Sequence, residues 1–322
     1  MSKVSAFIHG IYPRSQSLVK ATRDLDRGRN TNKDFRNKLR GDFENLIKIQ
    51  KEARFDYLES GLLNWADIFR PIVEATAGME TTTLTRWFDN NTFYRQPQIR
   101  GKLHLDEKKL KEFFPACRQA GPPVPSNWKV TLPSPFTFAK LTDDKNNSNF
   151  EKTLLEITQI LSMVLAYLKD SGVSFVQFNE PYLVYHRPEN KDIALFNKYM
   201  RQLLERKNGL KVAVSFYFGD VGGIINRLDV SLIDVLGIDF YKTALSSLPK
   251  EVPSEISAGL IDGRNSLLED EKVLINFVES LIDRLDPNVL YITNNSDLEL
   301  LPAPVAAKKI KLISKVRKHF NL

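Results

Sequence analysis

Two kinds of segment alternate along the chain. Short stretches rich in branched and aromatic residues recur at 4–11, 56–60, 128–132, 173–178, 211–218, 235–240, 255–261 and 289–293. Several are apolar at consecutive positions, which suits strands of a parallel sheet buried on both faces. Between them lie longer stretches with apolar residues at helical spacing, at 32–51, 150–169, 190–207, 270–285 and 303–320. The helix at 150–169 begins after the polar DDKNNSN and stops at Ser171–Gly172, so turn chemistry brackets it. Eight strands interleaved with helices predict an α/β fold, a closed (βα)8 TIM barrel occupying residues 1–322 as one domain. Residues 78–127 break the rhythm. They are expected to form an elaborated loop at the active-site end, with a possible hairpin through Pro97 and the Pro-rich GPPVPS before the next strand.

Composition narrows the function. The 322 residues carry 42% hydrophobic content, enough for a sizeable core. The single cysteine, Cys117, excludes an internal disulfide and any zinc site using two thiolates of this chain. No GxGxxG or GxxxxGK[ST] supports a dinucleotide or P-loop site. MSKVSAFIHG has no basic region followed by a long apolar run, and the longest apolar stretch, 161–168, is too short to span a bilayer. A soluble, cytoplasmic protein without a membrane partner is expected. The net charge of +7 suits an anionic partner. The one dense basic run, Lys308 to Lys318, carries apolar residues on one helical face. It reads as the solvated side of a last packing helix, and no motif supports nucleic-acid binding.

In an α/β barrel, chemistry collects where strands end. Asn179 and Glu180 follow the strand VSFVQF, and a carboxylate there can receive an amine. Gly219 and Asp220 end SFYFGD, with Gly219 suited to close backbone approach and Asp220 to helix capping or the mouth. Arg264 and Asn265 follow AGLIDG, where Arg264 can clamp an anion. Asp239 closes a further strand. Arg14, Lys20 and Arg23 put positive charge at the first strand–helix junction, and Arg86 adds more beside Trp87 and Phe88, which are expected to pack under their loop. His9, at the end of the first strand, reads as a hydrogen-bonded structural residue. No HxH or HExxH spacing favours a metal.

The segments FIHGIYPR (7–14), LTRWFDNN (84–91), TLPSPFTFAKL (131–141), VQFNEPYL (176–183), SFYFGD (215–220) and GLIDGRN (259–265) together resemble the barrel repeat of cobalamin-independent methionine synthases. That resemblance implies two barrels packed face to face. The C-terminal one holds zinc and homocysteine, and the N-terminal one binds the glutamate tail of the methyl-folate donor. RWFDNN and GRN point to the N-terminal repeat. Arg86 then matches a tail-contacting basic position, and Arg14 matches the arginine of the family's PR motif. In place of the family's short basic stretch after it stands SQSLVK, leaving Lys20 and Arg23. The catalytic repeat's His-x-Cys pair is replaced here by apolar and aromatic residues. No histidine lies in 255–275, and Asn294–Asn295–Ser296 stands where its last zinc cysteine would be.

The resemblance therefore implies a barrel that binds no cofactor itself, contributes no catalytic residue and does not transfer methyl groups alone. It would assist transfer from methyltetrahydrofolate polyglutamate to homocysteine beside a separate zinc-bearing barrel. Two alternatives stay open: a stand-alone, metal-independent barrel enzyme using Glu180, Asp220 and Asp239, and a non-catalytic scaffold or regulatory barrel.

Overall fold

The computed structural model describes residues 2–29, 31–65, 67–114, 125–146 and 149–320; Cys117 and most of the GPPVPS stretch lie outside them. Eight parallel strands form one curled sheet in the order β1 (Lys3–Ala6), β11 (Val289–Asn294), β10 (Glu255–Ile261), β9 (Val235–Asp239), β8 (Lys211–Phe216), β7 (Phe175–Asn179), β5 (Trp128–Pro133) and β2 (Leu58–Glu59). Two backbone bonds span the seam between the outermost strands: Asp56 N–H to Ala6 C=O at 3.0 Å and Tyr12 N–H to Gly61 C=O at 2.9 Å. Side chains also meet across the interior. Phe7, Tyr57, Phe175 and Tyr291 pack edge-on or tilted, with ring centroids 4.7–6.3 Å apart. The fold is a (βα)8 TIM-type barrel.

The strands at both sides of the seam are shorter than the sequence predicts, because side chains take the place of ladder partners. The segment 4–11 leaves the ladder after Ala6. The Asn294 amide then holds the His9 backbone from both sides, accepting from its N–H at 2.9 Å and donating to its carbonyl at 2.7 Å. At 56–60 only Leu58–Glu59 pairs, since the buried Gln50 side chain occupies both backbone groups of Glu59.

The irregular region resolves into regular structure. Strands β3 (Thr76–Arg86) and β4 (Phe93–Leu105) form a long antiparallel hairpin, joined by the short β6 (Asp143–Asp144). The Thr-rich TTTLTR run supplied the strand propensity, and Pro97 is tolerated next to a register shift. Among the described residues, five short α-helices go beyond the expected ones: Gln16–Asp26, Arg70–Glu74, Glu107–Phe113, Pro135–Leu141 and Tyr182–Tyr185. Ser15, Asp106 and Ser134 cap three of them. The C-terminal helix, Ala303–Phe320, corrects one expectation. Lys308, Lys311, Lys315 and Lys318 face solvent, but Lys309 is fully buried against Glu269 at 2.7 Å.

Candidate functional site

Alternate residues of the strands point inward, and the barrel interior becomes polar toward the strand ends. Above the aromatic layer, Lys129 is fully buried. It donates to Glu59 at 2.7 Å, to Thr131 Oγ1 at 3.0 Å and to the Ile8 carbonyl at 3.1 Å. Burial raises the pKa of Glu59 and lowers that of Lys129, and their mutual attraction opposes both shifts. Above this pair, His9 meets Tyr217 edge-on at 5.1 Å, and Asn179 approaches the Tyr217 hydroxyl at 3.4 Å. Burial, with the Lys129 charge second, lowers the His9 pKa to about 3, so the ring is neutral. Its backbone is clamped, but its Nε2 finds no hydrogen-bond partner.

Glu180 is fully buried beside Asn179. It accepts from the Ser134 hydroxyl, the Thr137 hydroxyl (2.7 Å), Thr137 N–H (3.2 Å) and Leu183 N–H (2.8 Å). Burial raises its pKa while these four donors oppose the rise. Asp239, also buried, accepts from Phe218 N–H, Tyr241 N–H and the Asn295 amide, tying three strand ends together. Phe218 has φ +70°, a strained value for a bulky residue. The Asp239 bond and the Arg264 guanidinium, 5.4 Å from the Phe218 ring centre, brace it. Gly219 lies so close to the next loop that a Cβ would fall 2.0 Å from the Val184 carbonyl oxygen. Asp220 is exposed and accepts from Gly222 N–H in a turn. Asn265 is exposed in a similar turn, accepting from Leu267 N–H.

Of the basic residues, the fold brings Arg86 and Arg264 together. They line an open cleft of about 400 Å³ with Asp89, Asn90, Asn91, Asp262 and Leu300. Arg264 is 3.7 Å from Asp262, and its Nε is buried without a hydrogen-bond partner. Arg14 is half-buried and does not line this cleft; its charge acts on Glu299 in the loop after β11. Lys20 is exposed on helix Gln16–Asp26 and does not line that cleft. Trp87 is buried against Phe69, Phe88 and Tyr94.

Sequence reasoning missed the acidic side of this mouth. Asp67, Asp297 and Glu299 line a small notch next to Trp87 and Tyr94. The D-x-E spacing in SDLELLP was its signal, directly after Asn294–Asn295–Ser296. Burial first, then the neighbouring carboxylates, raises Asp297 to about 6 and Glu299 to about 8. An acid with a raised folded pKa holds more protons folded than unfolded, so stability falls as pH rises through that window. For Glu299 the window runs from 4.5 to about 8. Urea unfolding across it should show the wild type losing stability relative to Glu299→Gln. Parallel profiles for the two proteins would contradict that expectation.

The donor set at the zinc-ligand positions does not fit a zinc centre. Asn295 accepts from Gly263 N–H and donates to Asp239, and Asn294 clamps His9. Zinc takes thiolate, imidazole or carboxylate, and these amides are already committed to protein partners. No cluster of three or more histidine, cysteine or acidic side chains suited to a metal occurs among the described residues.

The family model described as the cobalamin-independent synthase, N-terminal domain, matches residues 48–286. The chain belongs to this family. It is 26% identical over 246 residues to the 5-methyltetrahydropteroyltriglutamate–homocysteine methyltransferase of Lactococcus lactis, covering 74% of this chain. It spans only about a third of that relative's length, 31%. Against the methionine synthase of Sulfurisphaera tokodaii it is 21% identical over 305 residues, covering 94% of this chain and 88% of the relative. Among solved structures, the putative vitamin-B12-independent methionine synthase of Listeria monocytogenes superposes with a TM-score of 0.75 at 15% identity, covering 99% of both chains. The B12-independent methionine synthase of a Shewanella strain gives 0.72 at 17% identity, covering 99% of this chain and 97% of that one. At such identities these two establish the fold. No helix among the described residues is long and apolar enough to cross a membrane.

Proposed function

We propose that this barrel is the N-terminal-type component of a two-chain cobalamin-independent methionine synthase. Its mouth faces a separate zinc-bearing barrel, and it assists methyl transfer from methyltetrahydrofolate polyglutamate to homocysteine. The observation that carries the reading is an apolar collar around the mouth. Exposed Phe93, Tyr185, Tyr241, Leu267, Leu268 and Leu300 sit on the hairpin and on the loops that follow the strand ends. Met163 and Val273 are exposed on outer helices, but most of the exposed large apolar side chains lie on the hairpin and strand-end loops, which suits a protein interface there. Within the collar, the Arg86–Arg264 cleft offers guanidinium groups to the carboxylates of a glutamate tail, with the Arg14 charge acting near Glu299. The chain's own part is to position: it holds the anionic tail and helps shut water out of the partner's site. Zinc on the partner would keep the acceptor sulfur as thiolate.

The single-chain alternative draws no comparable support. Glu180 and Asp239 are committed to internal donors, and Asp220 closes a solvent-facing turn.

Methyl transfer from methyltetrahydrofolate triglutamate to homocysteine tests the proposal. The zinc-bearing barrel from the same source is assayed with and without this chain. Turnover that appears or rises strongly with the chain is expected. Arg86→Ala and Arg264→Ala should raise KM for the triglutamate more than for the monoglutamate. A partner fully competent alone and unchanged by the chain would reject the reading.

A further inference from the structure

The loop that carries Arg264 is held from two sides. On one side, Gly263 N–H donates to the Asn295 side chain at 3.0 Å. The backbone there runs so close to the end of β11 that a Cβ on Gly263 would fall 2.3 Å from the Asp297 carbonyl oxygen. On the other side, Asp262 N–H donates to Glu269 at 2.8 Å, which closes the loop between β10 and helix Glu271–Leu285 on itself. Asp262 in turn accepts from Arg264 N–H at 3.0 Å and faces its guanidinium at 3.7 Å. Where Glu269 sits therefore bears directly on where Arg264 sits.

Glu269 collects three donors on one oxygen. Besides Asp262 N–H, its Oε1 accepts from the Tyr241 hydroxyl at 3.2 Å and from Lys309 at 2.7 Å. The other oxygen is buried without a hydrogen-bond partner. Tyr241 belongs to the exposed collar, whereas Lys309 comes from the C-terminal helix and is fully buried. Lys309 is the only ion-pair partner of Glu269 among the described residues. A further pair between the same two helical segments, Lys315 with Glu271 at 3.5 Å, is solvent-exposed and fixes little.

We propose that Lys309 is a positioning residue for the Arg86–Arg264 cleft. From the C-terminal helix it fixes Glu269. Glu269 in turn fixes the loop that presents the Arg264 guanidinium, and it holds the Tyr241 hydroxyl in the collar. An apolar residue at position 309 would complete the buried face of the helix without desolvating an ammonium. It would leave the Arg264 loop tied to the barrel on the Asn295 side alone. The role rests on the reading of the cleft as the holder of a glutamate tail.

The test uses the full chain, with γ-linked triglutamate as probe and glutamate as its single-unit control, both titrated by calorimetry. Wild type is expected to bind triglutamate saturably and more tightly than glutamate. Lys309→Met should weaken the triglutamate affinity about tenfold. That variant leaves Glu269 without its cation and lowers stability, so Lys309→Met/Glu269→Gln accompanies it. The double variant carries no charge at either position, and the amide oxygen introduced by Glu269→Gln still accepts from Asp262 N–H. Its urea midpoint should return toward wild type, while its triglutamate affinity stays about tenfold low. A pair that merely holds the fold together would recover stability and affinity in step. Wild-type affinity in either folded variant overturns the positioning role and leaves the cleft reading standing. A wild type that binds triglutamate no better than Arg264→Ala does overturns the cleft reading, and the positioning role falls with it.

Discussion

Lys129→Met is expected to destabilise the barrel by about 3–5 kcal/mol, the usual result of removing one partner from a buried ion pair. The ammonium is fully buried and meets Glu59, Thr131 and the Ile8 carbonyl, with the Phe7 ring 5.0 Å away. One Glu59 oxygen, Oε1, already lacks a hydrogen-bond partner. Methionine fills the space but strips the remaining oxygen of its main donor. Glu59 then has to take up a proton or remain a buried, unpaired charge, and its pKa is raised by burial even with the lysine present. The double variant Lys129→Met/Glu59→Leu should recover most of the loss, because an apolar pair of similar volume avoids desolvating two charges. Urea unfolding near neutral pH reads both as changes in midpoint at constant m-value. Equal destabilisation of single and double variants would mean that packing, not the unpaired carboxylate, sets the cost.

The same pair shows what the sequence made legible. The eight strands and the five long helices were readable because buried parallel strands and amphipathic helices leave strong periodicities. The strand containing Lys129 was placed within one residue of its end, although a lysine in a buried strand runs against its pattern. Strand lengths at the seam were not readable. They depend on Gln50 and Asn294 replacing backbone partners from 9 and 285 residues away. The hairpin was underestimated because its polar, Thr-rich face lacks the apolar run that marks a buried strand. At the site, residue types were visible but their commitments were not. Arg86 and Arg264 were singled out separately, and only the fold shows them sharing a cleft. Glu180 and Asp239 were singled out as carboxylates at strand ends, and nothing in their sequence neighbourhood announces the number of donors each meets.

Glu180→Ala is expected to cost about 4 kcal/mol, since unsatisfied buried donors cost about 1–3 kcal/mol each and do not add fully. Four donors from three places converge on this one side chain: Ser134, Thr137 and Leu183. Ser134 and Thr137 belong to the start of helix Pro135–Leu141, and Leu183 to the turn after β7, so the carboxylate fixes the relative position of two mouth loops. Glu180→Gln keeps the shape and one acceptor oxygen but turns an N–H₂ toward donors. Its cost should be smaller, about 2 kcal/mol. The same variant separates a positioning role from a ligand-binding one. If Glu180 acts through the loops, the loss of assisted methyl transfer in Glu180→Gln should follow the loss of folded protein and be relieved by lowering the temperature. If the variant is as stable as wild type yet inactive at every temperature, Glu180 must meet the substrate directly. That would require the loops around it to open, because in the closed mouth no part of the carboxylate is exposed.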